Sequence, residues 1–129
     1  MLAVTNNPMM RDSMEGRHEV CFVEGSGRTV LIKARDMVYM GHRLYTHPLA
    51  GNLSPKQTPY RTVMLSENAE KPCAEHCMIA GESAAKWVDV PSQCKDERIL
   101  HELQKLDCSL AMQHRGGIYG EKQKGGKVH

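Results

Sequence analysis

His18-Glu19-Val20-Cys21-Phe22-Val23-Glu24-Gly25-Ser26-Gly27-Arg28-Thr29-Val30-Leu31 changes its hydrophobic period part-way along, and that change decides the fold. Up to Val23 the stretch reads as a short strand, broken at Glu24-Gly25-Ser26-Gly27. From Thr29 the apolar residues Val30, Leu31, Ala34, Met37 and Val38 recur on one face of a helix. Ser26 is placed to cap the start of that helix, and Gly41 stands where a left-handed C-terminal cap belongs.

Upstream, Leu2-Ala3-Val4 is an apolar run stopped by Thr5-Asn6-Asn7-Pro8, a strand followed by residues that suit a helix start. Met9, Met10 and Met14 share the face of that first helix, which Gly16 ends. Downstream, Arg43 to His47 reads as a third strand ending at Pro48. Residues 50–59 form a polar loop with two prolines, and Tyr60 to Ser66 is a fourth strand. Cys73, Cys77, Ala80, Ala84, Trp87 and Val88 then mark a helix face that Gly81 weakens. A last helix begins between Ser92 and Asp96, carries Ile99, Leu100, Leu103, Leu106 and Leu110 as its apolar stripe, and stops at Gly116-Gly117. Strands separated by helices imply parallel neighbours joined by right-handed crossovers. The expected architecture is an α/β fold, a small three-layer α/β sandwich with a mainly parallel four-stranded sheet. Residues 1–114 form its single domain, and residues 115–129 are a flexible basic tail rich in Gly and Lys.

At 129 residues, 40% of them hydrophobic, the chain fits one core and needs neither metal nor disulfide to fold. Aromatic residues are scarce, so that core must be built from aliphatics and the nine Met. The net charge of +2 is concentrated near the end, in Arg115, Lys122, Lys124 and Lys127 against Glu121. The nearly neutral remainder argues against a nucleic-acid footprint. Five Cys without regular spacing, no charged-then-apolar leader and no long apolar run point to reduced thiols in a cytoplasmic protein, neither secreted nor membrane-bound.

Three blocks carry a family likeness: Thr5-Asn6-Asn7-Pro8, the strand end Val23-Glu24-Gly25, and above all Gly41-His42-Arg43-Leu44-Tyr45-Thr46-His47-Pro48-Leu49-Ala50-Gly51. Pro55-Lys56-Gln57-Thr58-Pro59-Tyr60-Arg61-Thr62 continues it, against a Pro-Asn-Glu-Thr-Pro-Tyr-Lys-Ser type of segment. Together these resemble the GrdX family, small proteins encoded beside the glycine, sarcosine and betaine reductases of anaerobic amino-acid fermenters. The likeness covers about the first half of the chain and fades beyond residue 67. It implies an accessory or regulatory protein associated with such a reductase, with a reductase subunit as partner. It carries no catalytic role, and none of the reductases' own catalytic motifs occurs here.

In a parallel α/β sheet, ligands gather outside the carboxyl ends of the strands. Thr5-Asn6-Asn7, Glu24-Gly25-Ser26-Gly27 and Thr46-His47-Pro48 should converge there, and the first and second precede helix starts that favour anions. The candidate ligand residues are therefore Asn6, Asn7, Glu24, Gly25, Ser26, Thr46 and His47, suited to a small carboxylate or phosphate metabolite. His47 can supply a proton or a hydrogen bond, which makes a small enzyme or sensor the rival to an accessory protein. The bland alternative is that the asparagines cap a helix, the glycines make a turn and His47 bonds a loop carbonyl. Cys73 and Cys77, with His76 between them and Cys94, His101 or Cys108 elsewhere, suggest a thiolate metal site. The spacing is wrong for a zinc knuckle and both thiols lie on the apolar stripe of Trp87, so no metal and no cofactor is expected. The chain has no phosphate-binding Gly-x4-Gly-Lys loop, no dinucleotide fingerprint and no nucleophile elbow. The exposed edge of the fourth strand would allow pairing across a two-fold axis, giving a homodimer.

Overall fold

The computed structural model describes residues 1–50, 54–90 and 95–112. Strand β1 (Leu2–Thr5) leads into helix α1 (Pro8–Met14), β2 (Glu19–Phe22) and α2 (Gly27–Tyr39). Then follow β3 (Thr62–Leu65), α3 (Ala74–Lys86) and α4 (Glu97–Met112). The basic tail expected at 115–129 lies outside the described residues.

The sheet has three strands in the order β2-β1-β3, with β1 parallel to β2 and antiparallel to β3. This corrects the expected four-stranded, mainly parallel sheet. Arg43 to His47 does lie along β3, but it forms only one bridge, Leu44 to Leu65. The physical reason is that side chains intercept the ladder. Tyr45 and Thr46 both direct their N–H to the single carbonyl of Met64, and the Met64 N–H goes to Thr46 Oγ1 at 3.1 Å. On the outer side, the Leu44 N–H donates to Nδ1 of the buried His76 at 3.0 Å instead of to another strand. No described helix separates this segment from β3, so the chain returns beside itself, which is an antiparallel connection. The outer side of β3 is thus occupied, and the strand is not the open edge expected from sequence.

Alternation along β1 and β3 divides the core in two. Leu2, Val4, Val63 and Leu65 face α2 and α3, joining Val30, Leu31, Ala34, Val38, Ala80, Ala84 and Trp87. Ala3 and Met64 face the other way, toward Met10, Met14 and Ala111 of α1 and α4. The three-layer sandwich therefore holds, with helices on both faces of the sheet.

Helices α1 and α2 start as the sequence directs: Asn7 Oδ1 accepts from the Met9 N–H, Pro8 follows, and Ser26 Oγ accepts from Thr29 N–H. At the end of α2, His42 N–H reaches Met37 O and Gly41 N–H reaches Val38 O, a Schellman closure with Gly41 at φ +118°. A Cβ on Gly41 would run into the backbone carbonyl of Glu70. Backbone cannot retreat as a side chain can, so Gly41→Ala is expected to lower stability by about 3 kcal/mol or prevent folding, measured by urea denaturation.

Candidate functional site

Segment 43–46 runs antiparallel to β3 and hence in the same direction as β1 and β2. The chain leaving β1, β2 and this segment therefore emerges at one rim of the sheet, where β3 begins. Asn6 ties the loops there together. Its Nδ2 donates to Gly25 O and to Pro59 O, each at 2.9 Å, and its Oδ1 accepts from Arg61 N–H at 2.9 Å. Both amide protons and the oxygen are engaged, so Asn6 acts as a staple between the loops after β1, after β2 and before β3.

Asn7 turns to the other face, as the next residue of an extended chain must. Besides capping α1, its Nδ2 donates to Gln104 O at 3.0 Å and Asp107 Oδ2 at 2.9 Å. Glu24 and Gly25 are exposed, and Ser26 is spent on the α2 cap. Thr46 is buried with its hydroxyl oxygen on Met64 N–H. His47 Nδ1 accepts from Leu49 N–H at 3.1 Å, which leaves Nε2 to carry the proton of the neutral ring. Burial, then Lys86 and Arg61, push the His47 pKa below its ordinary value, so the ring is neutral at pH 7.

The sequence reading passed over the most unusual group at this rim, Arg61. It is only 3% exposed. Its Nη1 and Nη2 donate to Pro48 O at 3.4 Å and Ala50 O at 2.9 Å, and its guanidinium lies 5.1 Å from the centre of the Trp87 ring. Among the described residues its buried Nε has no partner and no carboxylate lies within ion-pair distance. The available signal was parity: Arg61 shares the inward face of Val63 and Leu65, where a charge is out of place. Trp87 and Lys86 come from the end of α3, and the Trp87 ring sits against Gly27, where a Cβ would lie 2.7 Å from Nε1. Asp89, also unanticipated, accepts from Arg28 N–H at 3.1 Å, so the first turn of α2 already faces a carboxylate of its own chain. Among the described residues, the positive charge without an ion-pair partner at the rim is therefore that of Arg61 and Lys86, with His47 beside them, rather than the α2 start.

Beneath the rim, on the α4 side, a second unanticipated residue organises the polar core. Asp107 is 3% exposed, and its Oδ2 accepts from the Thr62 hydroxyl at 2.6 Å and from Asn7 Nδ2. Since Thr62 spends its proton on Asp107, the 2.7 Å contact between the Thr5 and Thr62 hydroxyls must be donated by Thr5. Thr5 in turn accepts from Asn7 N–H at 2.9 Å. Burial raises the Asp107 pKa above 3.8, outweighing the opposing hydrogen bonds from Thr62 and Asn7 and the charge of Arg61. Neighbouring Cys108 is pushed up to about 11 by burial and by Asp107, so its thiol stays protonated and is no nucleophile.

The thiols of the proposed metal set are otherwise placed. Cys77 Sγ donates to Val38 O at 3.7 Å, Cys73 stands at the N-cap of α3, and Cys94 lies outside the described residues. Among the described residues no group of three His, Cys, Asp or Glu is arranged to hold a metal ion. Among them, too, no helix is long and apolar enough to cross a membrane.

A carboxyl whose pKa is higher folded than unfolded favours the native state most below its unfolded value, and that contribution is lost as pH rises through the raised value. Asp107→Asn removes this titration. Relative to wild type, the variant is expected to lose its stability deficit as pH rises from about 4 toward neutrality, in melting curves taken across that range.

The profile of the GrdX-like protein family matches residues 2–114, and so runs on through the C-terminal half where the residue-by-residue likeness had faded. No curated protein and no solved structure matches the chain significantly. With 113 of 129 positions inside the family profile, including every residue of the rim, the chain belongs to the GrdX-like protein family.

Proposed function

We propose that this protein is a cytoplasmic accessory or regulatory component of a glycine, sarcosine or betaine reductase system in amino-acid fermentation. In this reading it responds to a small acidic metabolite, a carboxylate or phosphate, held at the rim, and catalyses no reaction itself. The metabolic setting rests on family membership. The metabolite rests on one observation: the buried Arg61 guanidinium has a free Nε and no carboxylate within ion-pair distance among the described residues.

A buried charge without a counter-ion is costly, and an anion binding beside it recovers part of that cost. Lys86 adds attraction, and the neutral His47 ring offers an Nε2 proton as donor. The Trp87 ring, 5.1 Å from the guanidinium, is an apolar neighbour beside which that charge acts more strongly than it would in water. Asn6 needs no ligand, because its work is to hold the three loops in register around Arg61. An acid or base for catalysis would need a substrate proton within reach of His47, whose one basic nitrogen, Nδ1, already accepts from the Leu49 N–H.

Thermal melts with glycine, betaine, acetyl phosphate and inorganic phosphate test this. A ligand at a hundred times its Kd stabilises by about 2.7 kcal/mol, a shift of several degrees for a chain this size. At least one of the four is expected to raise Tm, and His47→Ala and Lys86→Ala to reduce the shift while leaving the unliganded Tm near wild type. No shift with any of them would end the metabolite reading. Purification without any reductase subunit from cells that express both would end the accessory one.

A further inference from the structure

The charge and the free donors of the rim come from groups of graded exposure. Lys86, the last residue of α3, is exposed, the His47 ring is half-buried, and Arg61 is buried. Both cations act on the His47 ring, and no carboxylate among the described residues does. Arg61 gives N–H groups to the Pro48 and Ala50 carbonyls, which are neutral, so its charge is unmet. Lys86 makes no ion pair among the described residues, and the exposed Glu24 pairs with neither cation. Asp89 turns to the start of α2. Asp107 bonds Thr62 on the opposite face of the sheet from Arg61.

We infer, resting on the metabolite reading above, that the rim selects a compact dianion, the phosphoryl group of a small metabolite, over single carboxylates and amino-acid zwitterions. Two unmatched cations around a neutral donor suit a group that carries two negative charges on one centre. A phosphoryl dianion also has several acceptor oxygens, so it can take the His47 Nε2 proton and the Lys86 ammonium together. A single carboxylate leaves one of the two cations uncompensated. A zwitterion is placed worse still. Its ammonium enters a field made by two cations, with no carboxylate of the described residues acting at His47 to receive it. Arg61 contributes to this choice without enclosing the ligand, because a covered charge is screened much less than a surface one and acts at longer range. Selection is therefore by charge. At a given distance each cation attracts a dianion about twice as strongly as a monoanion.

The test is calorimetric titration of the full chain with sulfate, inorganic phosphate, acetate and glycine, at constant ionic strength and about pH 8, where phosphate is doubly charged. Sulfate and phosphate are expected to bind at least about tenfold more tightly than acetate, and glycine more weakly than acetate. Lys86→Met changes an exposed side chain at a helix end, so Tm should stay at the wild-type value. It should weaken sulfate about tenfold but acetate only about threefold, because the factor lost with a single charge is squared with a double one. Lys71→Met removes the same charge from the other end of α3, about 20 Å away, and should change neither affinity. Acetate or glycine binding within about threefold of sulfate overturns the dianion while the metabolite reading stands. Equal losses of sulfate and acetate in Lys86→Met do the same. A loss in Lys71→Met as large as that in Lys86→Met also overturns it, since the attraction would then belong to the whole surface. Binding of none of the four probes ends the metabolite reading and this inference with it.

Discussion

One buried carboxylate decides how this molecule is assembled. Asp107 could not enter the α1–α4 layer without partners, and those it finds are Thr62 on β3 and Asn7 at the start of α1. Thr5 on β1 completes the chain of donors. Four elements are fixed to one another by hydrogen bonds that all end on a single side chain. Hydrophobic burial alone would have turned α4 by about a quarter-turn, with Ile99, Leu103, Leu106 and Leu110 against the sheet. Leaving Asp107 outside would instead strand the Thr62 hydroxyl and the Asn7 amide in a dry interior, at about 1–3 kcal/mol each. The polar demand of Thr62 and Asn7 outweighs the apolar demand of the stripe, and the small Met-rich core beside them accepts Ala111 at the contact.

The two asparagines after β1 divide the organising work. Asn6 holds the rim loops on one side of the sheet, and Asn7 holds α1 and α4 on the other. Since they are adjacent, the rim that cradles Arg61 and the seat of Asp107 are connected through a single peptide unit. Arg61 and Asp107 also sense each other's charge through the sheet, without touching. The two buried ionisable groups that sequence inspection passed over are thus the two that explain the arrangement of everything polar around them.

What could be read in advance followed local rules. The caps at Asn7 and Ser26, the Gly41 closure and the core face of α2 are set by residues within a few positions of each other, and all were legible. The number and direction of strands were not. Whether Arg43 to His47 completes a fourth strand depends on Thr46, His76 and Met64, which are remote in sequence and compete for the same backbone groups. The rim itself was inferred from strand direction, and Asn6, Gly25 and His47 do reach it, but their hydrogen-bond partners could not be read from spacing. Arg61 and Asp107 were missed for one reason. A charged residue inside a pattern of hydrophobic ones looks like a break in the pattern, whereas here it is the reason for the pattern's orientation.

The treatment of the sheet's two margins has a consequence for assembly. Beyond Leu44 the backbone donor that would invite another strand is plugged by the imidazole of His76. Beyond β2 no described strand follows. A polymer grown strand by strand needs two receptive margins on every unit, and this unit offers at most one. Addition along the sheet must therefore stop after the first event, which protects a short sheet from running on into fibres.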